Sequence, residues 1–136
     1  MNADILMVDD EPRRVQRWIE VLQKNWTVLF CASSDDGMTA IRQPEFLKTL
    51  RLVVLDLDMY TPRGISDRRT DLGRITGVVL AEELRKFGWD GPIVVLTNSN
   101  DANLEAFVKG RGDHFVRKPK VFGEAFAELV RGILDD

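Results

Sequence analysis

Four polar signals in this chain each follow a short apolar run. They are Asp9-Asp10 after Ile5–Val8, Asp56 after Leu52–Leu55, Thr97 after Ile93–Leu96, and Lys118 after Phe115–Val116. Carboxylates, a hydroxyl and an ammonium are the groups that acyl-phosphate chemistry needs: a carboxylate nucleophile, ligands for a divalent cation, and donors around the phosphoryl oxygens. Asp56 is the expected nucleophile. Asp9 and Asp10 offer hard oxygen ligands to Mg²⁺, an ion that keeps several waters and needs only one or two protein carboxylates. Lys118 offers a compact ammonium that can pair with Asp56 and then with a phosphoryl oxygen. Taken singly, each signal has a simpler use. Asp9-Asp10 can cap a helix, Asp56 a loop, Thr97 with Asn98–Asp101 the following helix, and Lys118-Pro119 can be a turn. Position is what joins them. If the runs are parallel strands of one open sheet, all four open on its carboxyl edge, where such sheets place their ligands.

The rest of the chain reads as the scaffold for that edge. Ile5–Val8, Val28–Cys31, Leu52–Leu55, Ile93–Leu96 and His114–Arg117 are the expected strands. Leu52–Leu55 is apolar throughout, as a central parallel strand should be. Pro12 suits the first turn of a helix in which Val15, Trp18, Ile19 and Leu22 recur at helical spacing and Arg13, Arg14, Gln16 and Arg17 face water. The Ser33–Gly37 cluster reads as a turn into a second helix, which Pro44 breaks or restarts before Phe46–Leu50. Further helices are expected over Val78–Phe87, with Glu82, Glu83, Arg85 and Lys86 on the wet side, over Ala102–Lys109, and over Gly123–Leu134. Strands alternating with helices imply a doubly wound α/β domain, because right-handed crossovers cover both faces of a parallel sheet.

Composition narrows the function classes. At 136 residues one core is expected, with no attached output domain. Hydrophobic residues make up 44% and charged residues 30%, as in an ordinary globular protein. A net charge of -3 supplies no global basic field, so direct nucleic-acid binding is not expected. The apolar runs are too short to span a bilayer, no membrane role is expected, and the N-terminus lacks the layout of a signal peptide. A cytoplasmic location is the expectation. Cys31 is the lone cysteine and reads as a small core residue. His114 reads as a strand-edge residue, and Arg111-Gly112-Asp113 as a turn.

The ordered set Val8-Asp9-Asp10-Glu11-Pro12, Val54-Leu55-Asp56-Leu57-Asp58-Met59, Leu96-Thr97 and Phe115-Val116-Arg117-Lys118-Pro119 resembles the receiver domain of bacterial two-component response regulators, over nearly the whole chain. The resemblance implies a flavodoxin-like, five-stranded parallel sheet in the order 2-1-3-4-5 with helices on both faces. It implies a stand-alone phosphoacceptor that takes a phosphoryl group from a sensor histidine kinase or histidine phosphotransfer protein onto Asp56. It makes the chain a signalling domain rather than a turnover enzyme. Metal would be held by Asp10, Asp56 and the backbone carbonyl of Asp58, with Asp9 acting mainly through water. A cis bond is implied at Lys118-Pro119. Thr97 would swing toward the phosphoryl oxygen while Phe115 turns inward. That movement would remodel the surface of the fourth helix (Ala102–Lys109), fifth strand (His114–Arg117) and fifth helix (Gly123–Leu134), the face expected for a downstream protein target or a homodimer. Phe115 has no hydroxyl, so packing alone would drive it.

Departures from that family's pattern matter as much as the agreement. Met59 is followed by Tyr60-Thr61-Pro62, and Gly77, which opens the next helix, arrives only after Arg63 to Thr76. The inserted loop at about 60–76 carries Arg63, Arg68, Arg69 and Arg74 against Asp67 and Asp71. A mobile, solvated insertion is the first expectation for it, and a lid or docking element the second. Asp58 adds charge beside the nucleophile, and Asn98 after Thr97 is larger than usual there. Asp56-Leu57-Asp58, Thr97 and Lys118 also resemble motifs of haloacid dehalogenase-type phosphatases, although the acidic pair here lies upstream. Two alternatives therefore stay open: a small phosphatase, and a degenerate receiver that only binds protein.

Overall fold

The computed structural model describes residues 2–98, 101–118 and 123–135. Five strands form one all-parallel sheet: β1 (Ile5–Val8), β2 (Val28–Cys31), β3 (Leu52–Asp56), β4 (Ile93–Thr97) and β5 (His114–Arg117). Their spatial order is β2-β1-β3-β4-β5, as expected. Between them run α1 (Pro12–Gln23), α2 (Ser34–Ile41), α3 (Pro44–Thr49), α4 (Asp67–Thr70), α5 (Thr76–Lys86), α6 (Ala102–Gly110) and, after β5, α7 (Gly123–Asp135).

The two-residue period of the strands divides the core. Leu6, Val8, Val53, Leu55, Ile93 and Val95 face one side, where they pack with α2, α3 and α5 residues such as Ile41, Phe46, Leu80 and Leu84. Ile5, Met7, Leu52, Val54, Val94 and Leu96 face the other, against α1 and α7. Each central strand is therefore buried on both faces, which is why it reads as continuous apolar sequence rather than as an alternation. Trp18 of α1 meets Phe126 of α7 with ring centroids 5.9 Å apart.

Local chemistry sets the helix boundaries. Pro12 and Pro44 occupy first-turn positions of α1 and α3. Ser33 accepts a hydrogen bond from the Asp36 N–H, so the expected turn is itself the start of α2, and Gly37 lies inside the helix. A Cβ on Gly37 would come within 3.0 Å of the Val8 methyls. Asp101 caps α6 through the N–H groups of Asn103 and Leu104. The hydroxyl at Thr97 is thus not the cap of that helix.

Two strands run one residue beyond the sequence-based expectation, so Asp56 and Thr97 are their last residues rather than the first residues of loops. Glu83 departs in the other direction: expected on the wet side of its helix, it is buried. The turn at Arg111-Gly112-Asp113 is not presented as a free tripeptide, since Asp113 is buried and bonded by Arg85 at 3.3 Å. Cys31 is buried, and burial with the nearby Asp36 charge pushes its thiol up to about 11, which suits an inert core residue.

Candidate functional site

The carboxyl edge of the sheet assembles the floor of the site. Asp9 follows β1, and its Oδ1 accepts from the Glu11 N–H at 2.9 Å, which orients the carboxylate. Asp56 ends β3 opposite Leu96 in register, and Thr97 ends β4 opposite Arg117, so Lys118 is the next residue along the edge. The Lys118 ammonium lies 2.9 Å from Asp9 Oδ2 and 3.2 Å from Asp56 Oδ1. Asp9, Asp56, Thr97 and Lys118 are all buried, and Asp10 is half-buried at the rim. Asp9, Asp10 and Asp56 each offer a carboxylate oxygen within 4.8 Å of the others. That donor set fits a hard divalent cation. Asp9 Oδ2 is buried, meets the Lys118 ammonium at 2.9 Å and has the Asp10 and Asp56 carboxylates close by.

Two buried carboxylates facing one ammonium are under-compensated. Burial raises the Asp56 carboxyl to about 7, the Asp9 charge adds to the rise, and Lys118 opposes it. Partial burial, with Asp9 and then Glu11, raises Asp10 as well. Burial alone would lower the Lys118 ammonium, but Asp56 and Asp9 outweigh it and hold the lysine charged. A second positive charge is what the floor lacks.

Above the floor opens a cavity of about 850 Å³, lined on the floor side by Asp10, Asp56 and Thr97 and on the loop side by Tyr60, Leu72 and Arg74. Most residues of the inserted loop that walls it are exposed, as expected of a solvated insertion, but the loop is pinned to the fold at several points. Ser66 caps α4 through the Arg69 N–H. Thr70 is fully buried, shares a hydrogen bond with Thr61 Oγ1 at 2.7 Å, and accepts from the Gly73 N–H at 3.1 Å. At the near end, Ser34 Oγ donates to the Tyr60 carbonyl at 2.6 Å and the Arg63 N–H donates to Asp35 Oδ1 at 2.7 Å. On the far side, Arg69 stands 3.5 Å from Glu83 and 3.8 Å from Glu82 of α5, which explains the buried Glu83.

Gly77 joins loop to floor. A Cβ there would fall 2.3 Å from the Asp56 carbonyl oxygen, and the Gly77 N–H donates to the Leu57 carbonyl at 3.0 Å. Only glycine lets α5 start this close to the end of β3. Its sequence signal was the family-like opening of a helix, but the atom it must avoid appears only in the fold. Thr70 and Thr76 carried no sequence signal at all.

The structure thus brings Asp9, Asp10, Asp56, Thr97 and Lys118 together. The Asp58 side chain is exposed at the cavity, and its carbonyl accepts no hydrogen bond among the described residues, leaving it available as a ligand. Phe115 stands apart from the cavity lining, half-buried on β5 under the Arg117 guanidinium, 5.9 Å from its ring centroid. Arg117 in turn bonds Glu105 of α6 at 2.8 Å. The cis bond expected at Lys118-Pro119 falls outside the described residues, as do Ser99 and Asn100.

Solved structures share this fold. A receiver-domain protein from Methanospirillum hungatei superposes with a TM-score of 0.73 at 20% identity, covering 96% of this chain and 92% of its own. The receiver domain of NtrX from Brucella abortus gives 0.74 at 21% identity, covering 97% and 98%. This chain has the receiver fold. A response regulator from Burkholderia pseudomallei, described with a phosphorylated aspartic acid, calcium ion and citrate, matches at 0.65 and 18% identity over 98% of this chain and 65% of its own. No family model and no curated protein matches at the level of sequence. The receiver fold is therefore carried here by a divergent sequence, and the arrangement at the sheet edge is what speaks for its chemistry.

Proposed function

We propose that residues 1–136 form a single receiver domain, with an inserted loop at about 60–76, that serves as the phosphoacceptor of a two-component phosphorelay. The observation that carries this reading is the buried contact of Lys118 with both Asp56 and Asp9, beside a third carboxylate from Asp10. Similarity to a structure described with a phosphorylated aspartic acid and a calcium ion supports it.

In this reading an Asp56 oxygen attacks the phosphorus of a phosphohistidine on a sensor kinase or phosphotransfer protein. The new P–O bond forms as the P–N bond breaks, and the electron pair returns to the imidazole, which takes up a proton. Asp10, Asp56 and the Asp58 carbonyl would hold Mg²⁺, with Asp9 acting through water, and the ion would supply charge neutralisation at the phosphoryl oxygens. Lys118 stays charged and moves its pairing from the Asp56 carboxylate to a phosphoryl oxygen. Thr97 donates its hydroxyl to another. Burial favours the protonated Asp56 carboxyl, and a cation bound beside it would favour the ionised form that attacks.

Output follows from the same edge. Thr97 is in register with Arg117, and Val95 with Phe115, so a shift of Thr97 reaches β5 directly. Phe115 then turns inward and releases the Arg117–Glu105 contact, biasing a two-state surface of α6, β5 and α7 toward a downstream protein or a second copy. The chain acts as a signalling domain, not on free substrates. No described helix is long and apolar enough to cross a membrane, and the cytoplasm is the proposed location.

Intact mass after acetyl phosphate with Mg²⁺ tests this. One phosphoryl adduct, absent in Asp56→Asn, is the expected result. Multiple turnovers of a free phosphoester would replace it with a phosphatase, and no adduct would leave a protein-binding module.

A further inference from the structure

The loop's arginines are not equivalent. Arg69 is committed to Glu82 and Glu83, Arg63 stands beside Asp35, and Arg68 is exposed away from the cavity. Arg74 alone lines the cavity, and it is the one cation among the described lining residues, where Asp10, Glu11, Asp56, Asp58 and Asp67 are all acidic. Its ion pair with Asp71 is long, at 4.0 Å, and both side chains are largely exposed, so it is a weak restraint.

The point from which Arg74 leaves the chain is well held. The Met59 N–H donates to the Gly73 carbonyl at 3.1 Å, and Thr76 Oγ1 donates to the Met59 carbonyl at 2.7 Å. Gly73 has φ 90°, and a Cβ there would sit 2.7 Å from the Met59 oxygen. Two residues before it, Asp71 and then Leu72 take left-handed backbone at φ 52° and 58°. A leucine in that region is costly and persists only where its surroundings enforce it.

We propose that Arg74 is an anion-binding arm for the phosphoryl group on Asp56, reaching it from the cavity mouth while Lys118 reaches it from within the fold. This rests on Asp56 being the phosphoacceptor. Phosphorylation replaces one carboxylate charge by a phosphoryl group of about two at neutral pH, in a site already short of cations. A guanidinium can meet two of its oxygens at once. In hydrolysis, water attacks phosphorus in line with the bond to Asp56. The P–O bond to Asp56 breaks, Asp56 keeps the electron pair as a carboxylate, and inorganic phosphate leaves with the water's oxygen. That water must enter from the mouth, where Arg74 bound to the phosphoryl oxygens stands in its way. Arg74 therefore lengthens the life of the phosphorylated state.

The test loads wild type, Arg74→Ala, Arg74→Lys and Arg68→Ala with acetyl phosphate and Mg²⁺, removes the donor, and follows the adduct by intact mass. Beryllofluoride affinity, measured in parallel, reports the contact without any hydrolysis. Arg74→Ala should lose the phosphoryl group roughly tenfold faster and bind beryllofluoride roughly tenfold more weakly. Arg74→Lys should fall between, and Arg68→Ala should match wild type. An Arg74→Ala variant that keeps the wild-type lifetime or the wild-type affinity overturns the role of Arg74 and leaves Asp56 as acceptor. No adduct on the wild type overturns both.

Discussion

The floor and the mouth of the site are built by different physics. The floor consists of strand-end residues, Asp9, Asp56, Thr97 and Lys118, buried and packed with charge that does not balance. The mouth is a loop held by neutral hydrogen bonds around Thr61, Thr70 and Thr76, and its arginines stay exposed even where Arg69 meets the buried Glu83. A floor of this kind is stiff and electrostatically tense, so it responds to protons and cations. A mouth of this kind is set by local geometry and responds to neither. The receiver fold supplies the first, and the insertion adds the second.

Substitutions can break or sharpen that contrast. The largest effect is expected where the two regions touch. Gly77→Ala forces a Cβ against the Asp56 carbonyl and should cost about 4 kcal/mol in chemical denaturation, whatever the pH. Lys118→Ala comes next. It leaves two buried carboxylates without their cation and should cost about 3 kcal/mol at pH 8, with a smaller loss near pH 5 and partial recovery on adding a divalent cation. A loss that is the same at both pH values would mean that the floor is not charge-limited.

Asp56→Asn should act in the opposite sense. The folded-state carboxyl stands near 7, above its value of 3.8 when unfolded, so the native state keeps its proton after the unfolded chain has lost one. Stability of the wild type without metal therefore falls as pH rises from about 4 through about 7, and levels off above. The amide variant escapes that fall. It should be more stable at pH 8 by up to about 4 kcal/mol and no different near pH 4, read as thermal melts in chelator. Thr70→Val, at the mouth, should cost about 1 kcal/mol by removing a shared hydroxyl bond and the acceptor for Gly73, with no dependence on pH or metal. The smallest effect is expected at Arg63→Ala, within about 0.5 kcal/mol of wild type because its side chain is exposed and its contact with Asp35 is long. A strong pH dependence in either mouth variant would erase the distinction between the regions.

The floor was legible in the sequence because a parallel strand and the residue at its carboxyl end are neighbours in the chain. Leu52–Leu55 announces β3, and Asp56 necessarily stands at its end, so the residue's place at the sheet edge was readable before any pairing was known. The mouth was not legible. Arg63, Arg68, Arg69 and Arg74 look alike as residues in a polar stretch, and nothing in their spacing tells which meets Glu83 and which the cavity. Glu83 was misread for the same reason: its helical position faced water only if no loop covered it.

By itself, then, the sequence determined the five strands, the main helices between them and the candidate groups at the sheet edge, since these follow from periodicity and adjacency along the chain. Tertiary structure alone decided that Lys118 sits between two buried carboxylates, that Gly77 must carry no side chain, and that Arg74 is the arginine turned to the cavity. Those depend on contacts between residues far apart in the chain, which close approach and burial create and which no local pattern encodes.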